Sequence, residues 1–402
     1  MEVEEPLRVL TLNTWGLLYI SKDLEERMSA IADELAKGRY HLVHLQEVWS
    51  HRHFQLIEQR VKSVLPYAHY FHSGLIGSGC ATFSHYPIID TFFHKFSHNG
   101  YFWDVLHGDW YGGKGVGVAV IQHPDSTIHS FNTHLHADYP GGLSSGLAEC
   151  RMLQIYQLVQ CLRHTTRPGD RIILTGDMNH TSDSLGMEAF CTLSGLKDTY
   201  VTADTKPEEC FTLNTNTNKY VPEGEVTSRI DFIFTSDNMA CTSCNLAMQQ
   251  IPGTDIHYAD HEGYTASVKF KPGSHASQDE QESDRSLDIL HRLHDVVKQG
   301  EQLAEEVHWK KVASLALVFF LLLVVPVWSL DTFHSLFPPI STWCGKCVFV
   351  AQMVCAVASL VYFWVITYIR QTDGKIFKSV CADIEIRTRA LEMLHKGKSS
   401  SS

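Results

Sequence analysis

Eight polar side chains that can bind a cation or move a proton recur where apolar runs of this 402-residue sequence stop. They are Asn13, Glu47, His134, Asp177, Asn179, Asp231, Asp260 and His261. Carboxylate and amide oxygens are the ligands that Mg²⁺ prefers, and histidine is the commonest general base. The set therefore suits metal-assisted chemistry on a phosphate ester. Taken singly, each residue also has an ordinary interpretation as a solvated loop or turn residue.

Asp231 differs from the other candidates because it lies between Ile230 and Phe232 in an apolar run. A carboxylate buried there without a partner would be costly. The sequence therefore predicts that Asp231 has a partner, and a histidine is the natural one.

Apolar runs and amphipathic stretches alternate around these residues. The runs at 7–11, 41–45, 128–132, 171–174 and 228–235 are typical of strands, and one helix face is marked by Leu24, Met28, Ile31 and Leu35. This alternation predicts a layered α/β domain over residues 7–270. In α/β folds, functional sites are built at strand ends, where the candidates lie.

Six motifs occur in a fixed order along the domain: LN-x-W-G at 12–16, QE-x-W at 46–49, THLHA at 133–137, GDMN at 176–179, RIDFIF at 229–234 and ADHE at 259–262. With two apolar runs near the C-terminus, they resemble the endonuclease/exonuclease/phosphatase superfamily, and within it the neutral sphingomyelinases. The resemblance implies a four-layer deoxyribonuclease I-like α/β sandwich followed by a two-helix transmembrane hairpin. It implies hydrolysis of sphingomyelin to ceramide and phosphocholine, with choline lysophospholipids such as lyso-platelet-activating factor as further substrates.

The resemblance also implies a role for each matching residue. The metal ligands would be Glu47, Asn13, Asp177 and Asp260, with Mg²⁺ as cofactor and Mn²⁺ as a substitute. The catalytic residues would be His261, Asp231 and His134, and the substrate-binding residues Asn179, His136 and Lys114. His261 would activate water as a general base, and Asp231 would fix its tautomer and orientation.

Residues 108–115 keep two interpretations. They nearly match a nucleotide P-loop, but Gly115 follows Lys114 where Ser or Thr is required, and a strand is predicted next instead of a helix. Nucleotide binding is therefore excluded. Lys114 either lies near a lipid phosphate or is a solvated lysine in a Gly-rich turn, and Asp109 could contact a choline cation.

Two other features have competing interpretations. His134 and His136 could form a zinc pair, although no third and fourth ligands are evident. An aromatic-rich stretch either dips into a membrane or packs in the core, and it contains Phe92, Phe93, Phe96, Tyr101, Phe102, Trp103, Trp110 and Tyr111.

Two uncharged apolar runs, 312–330 and 347–369, are long enough to cross a bilayer as helices. Lys310 and Lys311 precede the first run, and Arg370, Lys375 and Lys378 follow the second. The positive-inside rule then places the head and both termini in the cytosol, and an endomembrane such as the endoplasmic reticulum is expected. The acidic start MEVEEPL lacks a signal-peptide pattern.

These features divide the sequence into four predicted regions. They are a catalytic phosphodiesterase domain at 7–270, a linker and amphipathic helix at 271–309, two transmembrane helices at 310–370, and a cytosolic C-terminal helix and tail at 371–402.

The charge distribution separates the function classes. Residues 1–270 contain 31 acidic and 19 basic side chains, so this region carries the whole net charge of −12. A DNA endonuclease needs a basic surface for the phosphate backbone, so we expect no nucleic-acid partner. The Lys/Arg clusters of inositol polyphosphate phosphatases are missing, and a membrane-tethered binding module leaves the metal and His–Asp set unexplained. Sphingomyelin and a bilayer are the expected partners. A membrane-tethered endonuclease or other phosphodiesterase of the same superfamily is the alternative.

Overall fold

The computed structural model describes residues 5–101, 108–138, 147–221, 224–271, 280–336 and 338–399. In chain order the elements are β1 (Leu7–Asn13), α1 (Leu24–Leu35), β2 (Leu42–Gln46), α2 (His51–Val61), β3 (Tyr67–Tyr70), β4 (Ala81–Ser84), β5 (Ile88–Lys95), β6 (Gly115–His123), β7 (Ser126–His134), α3 (Ala148–Thr165), β8 (Arg171–Asp177), α4 (Leu185–Ser194), β9 (Lys197–Asp198), α5 (Thr199–Thr202), β10 (Asp231–Thr235), β11 (Met239–Ala247), β12 (Gly263–Phe270), α6 (Glu280–Leu336) and α7 (Pro338–Ser399). The chain divides into two compact units, Met1–Leu293 with Thr388–Ser402, and His294–Arg387.

The first unit contains two six-stranded sheets, ordered β11-β12-β1-β2-β4-β3 and β5-β6-β7-β8-β10-β9. In each sheet one central pair is parallel, β1 with β2 and β7 with β8. Helices α1 and α2 pack on the outer face of the first sheet. On the second sheet, the ring of Phe190 in α4 lies 4.9 Å from that of Phe234 in β10. The predicted α/β sandwich is confirmed.

Alternation along β1 shows how the layers form. Leu10 and Leu12 pack with Met28 and Ile31 of α1, while Val9 lies in the core between the sheets. Successive strand residues point to opposite faces, so one strand supplies both layers. The helix face predicted from the apolar spacing is confirmed for α1.

The interior between the sheets changes from apolar to polar along the strands. Its apolar end includes Val9, Leu42, Ile128, Ile173 and Ile233. Further along, the ring of His44 lies between the sheets, with Nδ1 2.6 Å from Thr175 Oγ1 and Nε2 2.7 Å from Ser130 Oγ. Gln46 Nε2 likewise donates to Asn132 Oδ1 across the sheets at 2.8 Å. Buried polar groups need such partners, so this layer is hydrogen-bonded where the apolar layer ends.

Two predicted segment boundaries can be compared with the strands. β6 begins at Gly115, which confirms that a strand and not a helix follows Lys114. β10 begins at Asp231 instead of residue 228, because Ser228 forms an isolated bridge with Leu213. Asp231 is therefore at the end of the strand, where a side chain can reach a site.

The aromatic stretch is divided between core and surface. Phe96 and Tyr101 are buried, which supports core packing for these two residues. Phe92 on β5 is 52% exposed and Trp110 is 40% exposed. Residues 102–107, which include Phe102 and Trp103, lie outside the described residues.

The second unit consists of parts of α6 and α7. Val297 and Ala304 of α6 are buried, as are Phe377, Val380 and Ile384 of α7. The predicted spans 312–330 and 347–369 fall within these helices, but most side chains of 312–330 lie outside the described residues. In the part of the chain that the structure describes, no helix combines the length and apolar character needed to cross a membrane. The hairpin stays a prediction.

Candidate active site

The polar ends of several strands meet at one edge of the sandwich. Asn13 ends β1, His134 ends β7, Asp177 ends β8, and Asp231 begins the antiparallel β10. The strand register places Asp177 opposite both His134 and Asp231. Glu47 directly follows β2, the parallel neighbour of β1. Because parallel strands end at the same edge of a sheet, residues far apart in sequence come together here.

Asn13 joins two of the acidic residues. Its Nδ2 donates to Glu47 Oε1 at 3.1 Å and to Asp177 Oδ2 at 3.0 Å, while its Oδ1 accepts from the backbone N–H of Trp15 at 3.0 Å. An amide with both ends bonded is fixed in orientation, so it holds the two carboxylates close together. Burial, aided by the charge of Asp231, raises the pKa of Asp177 to about 7.

Glu47 is held in a left-handed backbone conformation, with φ at 58°. A Cβ atom on Gly16 would lie 2.1 Å from the carbonyl oxygen of Glu47, and one on Gly79 would lie 3.2 Å from its Cα. A non-glycine residue in this conformation costs roughly 1–3 kcal/mol and persists only when its surroundings impose it. The two close glycine segments impose it here, and they leave the Glu47 side chain half-buried at the edge.

His261 and Asp231 form a buried pair, with 2.8 Å between Nδ1 and Oδ2. Burial alone would lower the pKa of His261, but the charge and hydrogen bond of Asp231 raise it well above its usual value. The backbone N–H of Asp231 donates to Thr212 Oγ1 at 3.1 Å. With Nδ1 bonded to Asp231, Nε2 is the ring atom left for chemistry, and it lies 3.9 Å from Asp177 Oδ2. The structure thus gives Asp231 a histidine partner.

The acidic residues also provide potential ligands for a cation. Asp177, Asp231 and His261 have potential ligand atoms within 4.8 Å of one another. However, Asp231 Oδ2 and His261 Nδ1 already form a hydrogen bond with each other. Asp260 offers a buried Oδ1 with no hydrogen-bond partner among the described residues, and burial raises its pKa to about 6. The negative charge of Glu47 adds to this rise in the pKa of Asp260. Asp260, together with the Glu47 and Asp177 carboxylates that Asn13 joins, suits a divalent cation.

Lys114 lies in a second group beside the acids. It is 2% exposed, forms an ion pair with Asp109, and donates from Nζ to His134 Nε2 and to the carbonyl of Leu135, both at 3.0 Å. The solvated-lysine interpretation is therefore wrong. Burial opposes ionisation of Asp109, but the charge of Lys114 lowers the pKa of that carboxyl. Burial, followed by the charge of Lys114, lowers the pKa of His134 well below its usual value.

Asn179 and His136 belong to the same group. Asn179 Nδ2 donates to the carbonyl of Leu135 at 3.0 Å, so Asn179 shares that acceptor with Lys114. His136 Nε2 lies 3.5 Å from Asp109 Oδ2, and its Nδ1 lies 2.7 Å from the carbonyl oxygen of Ala137. The structure thus places the predicted substrate-binding residues beside His134.

The zinc interpretation gains no support from these contacts. His134 Nε2 lies 3.3 Å from Asp177 Oδ2, whereas His136 is directed to Asp109 and Ala137. Among the described residues, no group of three potential metal ligands contains both histidines.

Two features of this region were not predicted from the sequence. One is the ion pair between Asp109 and Lys114, because Asp109 was assigned to a choline cation. The other is Arg27, a fully buried side chain of α1. A signal for Arg27 existed, since it lies three residues after Leu24 and four before Ile31 and thus falls on the apolar helix face.

Comparison with known proteins places the chain in a family. The sequence pattern of the Endonuclease/Exonuclease/phosphatase family matches residues 10–245. The chain belongs to this family. A putative neutral sphingomyelinase of Drosophila melanogaster is 35% identical over 270 residues, which cover 66% of this chain and 61% of the fly protein. The resemblance to neutral sphingomyelinases seen in the motifs is confirmed, over less than two thirds of the fly protein's length.

Two further proteins extend the comparison. The inositol phosphosphingolipids phospholipase C of Schizosaccharomyces pombe is 34% identical over 304 residues, covering 68% of this chain and 71% of the yeast protein. A beta toxin variant of Staphylococcus aureus, crystallised with bound magnesium ions, matches with a TM-score of 0.56 and 16% identity. It covers 66% of this chain and 100% of the toxin chain, and it establishes the shared fold.

Proposed function

We propose that this protein is a Mg²⁺-dependent phosphodiesterase that hydrolyses sphingomyelin to ceramide and phosphocholine. The observation that carries the proposal is the buried pair of His261 and Asp231, 2.8 Å apart, beside the carboxylates joined by Asn13. A base with an orienting acid, next to a cation-binding set, is what hydrolysis of a phosphodiester requires. The names of the fly and yeast relatives support a sphingolipid as the substrate.

His261 acts as the general base in this proposal. In the neutral form of the ring, Nδ1–H is donated to Asp231, which leaves Nε2 as the basic atom and keeps that tautomer in place. Nε2 removes a proton from the attacking water, and the negative charge of Asp231 stabilises the imidazolium that forms. The water oxygen then attacks phosphorus as the bond from phosphorus to the ceramide oxygen breaks, and that oxygen takes up a proton from solvent as ceramide leaves.

The residues around Asn13 would hold the metal. Glu47, Asp177, Asp260 and the Asn13 side chain are assigned to Mg²⁺, and Mn²⁺ has the same preference for oxygen ligands. A bound divalent cation offsets negative charge on the phosphoryl oxygens. Oδ1 of Asp260, which has no hydrogen-bond partner in the part of the chain that the structure describes, is the atom that best supports the assignment.

Lys114, Asn179, His134 and His136 are assigned to the phosphate side of the site. Lys114 and Asn179 both donate to the carbonyl of Leu135, so one backbone oxygen sets the position of both. Cationic and amide N–H groups are suitable donors to phosphate oxygens. The ion pair with Asp109 offsets part of the cost of burying the Lys114 ammonium.

Exposed apolar side chains favour a lipid over a nucleic acid. The loops that carry them lie close to Glu47, because Gly16 and Gly79 both approach its backbone. Two of these loops are also bonded to each other, since the backbone N–H of Leu75 donates to the carbonyl of Tyr111 at 3.0 Å. The exposed fractions are 49% for Leu18, 103% for Tyr19, 67% for Ile20, 79% for Leu75, 40% for Ile76 and 40% for Trp110. An apolar rim of this kind suits a lipid surface, whereas DNA needs a basic one.

The central experiment is release of phosphocholine from sphingomyelin in mixed micelles by the purified full chain with Mg²⁺. We expect activity that EDTA removes and that Glu47→Ala and His261→Ala abolish. Asp90→Ala changes an exposed acid of β5 and is the matched control that keeps activity. Cleavage of abasic DNA without any phosphocholine would refute the lipid proposal and support the tethered endonuclease.

A substrate panel tests the headgroup. Sphingomyelin is compared with an inositol phosphosphingolipid, because the yeast relative is named for that substrate, and with lyso-platelet-activating factor. We expect the sphingomyelin rate to be the highest. A higher rate on the inositol lipid would keep the mechanism and replace the proposed headgroup.

The rim is tested by the double change Leu18→Ser with Ile20→Ser. We expect a rate on sphingomyelin vesicles that is lower by at least about tenfold, since each apolar side chain fully withdrawn from a lipid surface loses roughly 1.5–3 kcal/mol of burial energy. The rate on a water-soluble short-chain substrate should stay the same. Ile89→Ser with Phe92→Ser removes equally exposed apolar groups from β5 and should affect neither rate.

The membrane anchor and location are part of the proposal. Residues 312–330 and 347–369 would form the hairpin, with the head and both termini on the cytosolic side of an endomembrane such as the endoplasmic reticulum. We expect the full chain to resist alkaline extraction from membranes, and protease added to intact vesicles to degrade the head. Recovery of the chain in the alkaline supernatant would remove the anchor from the proposal.

A further inference from the structure

Arg27 of α1 is buried completely, and its guanidinium is bonded to backbone oxygens. Nε donates to the carbonyl of Lys22 at 2.8 Å, Nη1 to Thr14 at 2.7 Å and Tyr258 at 3.1 Å, and Nη2 to Trp15 at 2.9 Å. Among the described residues, all of these acceptors are backbone carbonyls and none is a carboxylate. This buried cation therefore has backbone carbonyls where a salt bridge is usual.

The arrangement needs a reason, because a buried charge without a counter-ion costs several kcal/mol. Burial lowers the pKa of Arg27, while Tyr220 and the negative charges of Asp260, Asp23 and Glu47 act in the other direction. The rings of Trp15 and Tyr220 also cover the guanidinium, with their centroids 5.0 and 5.7 Å from Cζ. Neutral side chains could fill the same space. We therefore look for the role of this arginine in its hydrogen bonds.

Those hydrogen bonds connect two chain segments that the sheet does not connect. The ladder between β1 and β12 ends at the pairing of Thr11 with Tyr264. Asn13 lies beyond this end at the last position of β1, and Asp260 lies in the segment that precedes β12. The Nη1 group of Arg27, bonded to Thr14 and Tyr258, bridges the two segments past the last ladder pair.

We propose that Arg27 is a positioning residue that holds Asn13 and Asp260 at the spacing the divalent cation requires. It acts through the backbone of the segments that carry them and touches neither substrate nor metal. The inference rests on the metal assignment of the proposed function and names a residue outside the ligand set. Loss of an outer partner of a metal ligand typically weakens metal binding about 10–100-fold.

Arg27→Lys is the discriminating variant because it keeps the charge and removes the fork of donors. The full chain is titrated with Mg²⁺, and the concentration that gives half of the thermal shift is measured, which needs no activity. We expect this concentration to rise at least about tenfold, within the range for lost outer partners of metal ligands. At saturating Mg²⁺, kcat for phosphocholine release should largely recover.

Tyr264→Phe is the matched control. It removes a buried hydroxyl that lies 2.9 Å from Thr199 Oγ1, so it should lower the melting temperature and leave the Mg²⁺ midpoint unchanged. If Arg27→Lys lowers the melting temperature with an unchanged Mg²⁺ midpoint, its role is structural and the inference is wrong. If the unsubstituted chain responds to Mg²⁺ and releases no phosphocholine, the proposed function fails while the midpoint test still applies.

A milder variant covers the case in which Arg27→Lys does not fold. Tyr220→Leu removes one of the rings over the guanidinium and leaves the hydrogen-bond donors in place. A cation–π contact contributes on the order of 1 kcal/mol, so we expect a rise of about threefold to fivefold in the Mg²⁺ midpoint. An unchanged midpoint in a folded Tyr220→Leu protein would overturn the inference.

Discussion

His44 and His261 are both buried in the same sandwich, and their environments give them opposite proton affinities. Burial lowers the pKa of His44 to about 3, and its two ring nitrogens lie within hydrogen-bond distance of the hydroxyls of Thr175 and Ser130. Burial also disfavours the charged form of His261, yet the charge and hydrogen bond of Asp231 raise its pKa well above the usual value. The partner, and not burial itself, therefore decides whether a histidine here can hold a proton.

The position of each histidine along the strands explains its partner. His44 lies in the hydroxyl and amide layer between the sheets, where neutral groups from both sheets pair with one another. His261 lies at the edge, where the strands end in carboxylates. The strands thus change from apolar to neutral polar to ionisable residues toward the edge where the candidate site lies.

Asp231→Asn should have the largest effect, because it gives His261 a neutral partner of the kind that His44 has. We expect kcat for phosphocholine release to fall about 10³–10⁴-fold, as for loss of the orienting acid in other His–Asp pairs. The measurement is the rate at saturating Mg²⁺. A loss of less than tenfold in a folded protein would show that Asp231 does not set the state of His261.

Lys114→Met tests the buried ion pair of Lys114 and Asp109, which lies beside His134. It leaves the buried Asp109 without its partner, so we expect the free energy of unfolding to fall by about 3–5 kcal/mol. Urea denaturation followed by fluorescence measures this loss. The double variant Lys114→Met with Asp109→Asn removes both charges and should recover much of the stability. An equal loss in both variants would mean that the cost comes from packing instead of the unpaired carboxylate.

The candidate site residues could be named from the sequence, but the contacts that position them could not. Glu47, Asp177 and Asp231 were found because each adjoins an apolar run that forms a strand, and strand ends are local features. Arg27 was missed because its acceptors lie up to 231 residues away, on loops whose proximity depends on the order of strands in the sheet. That order is set by packing of the whole sandwich, so a local pattern does not contain it.

The ion pair of Lys114 with Asp109 was missed for a related reason. Both residues were noted in a Gly-rich segment, which indicates a turn but not the direction of each side chain. The burial of Lys114 depends on β7 and on the carbonyl of Leu135, which belong to another part of the chain. The sequence therefore predicted the residues of this group and not their pairing.

His44→Gln has the smallest expected effect, and it tests the contrast between His44 and His261 directly. The pKa of His44 is about 3 in the folded protein and about 6.5 in an unfolded chain. The unfolded chain therefore binds a proton below pH 6.5 that the folded protein does not bind. This histidine contributes stability that is complete above pH 6.5 and is lost progressively as the pH falls toward 3. The slope is at most about 1.4 kcal/mol per pH unit.

Other groups titrate in the same range, so the difference between the two proteins is the quantity to measure. Asp177 and Asp260 have raised pKa values and favour the folded state at lower pH, and both are present in His44→Gln. Unfolding free energies from urea denaturation at pH 7, 6 and 5, without added metal, should show a steeper acid loss for the unsubstituted protein. Parallel pH profiles would mean that His44 accepts a proton while folded, and its contrast with His261 would then not exist.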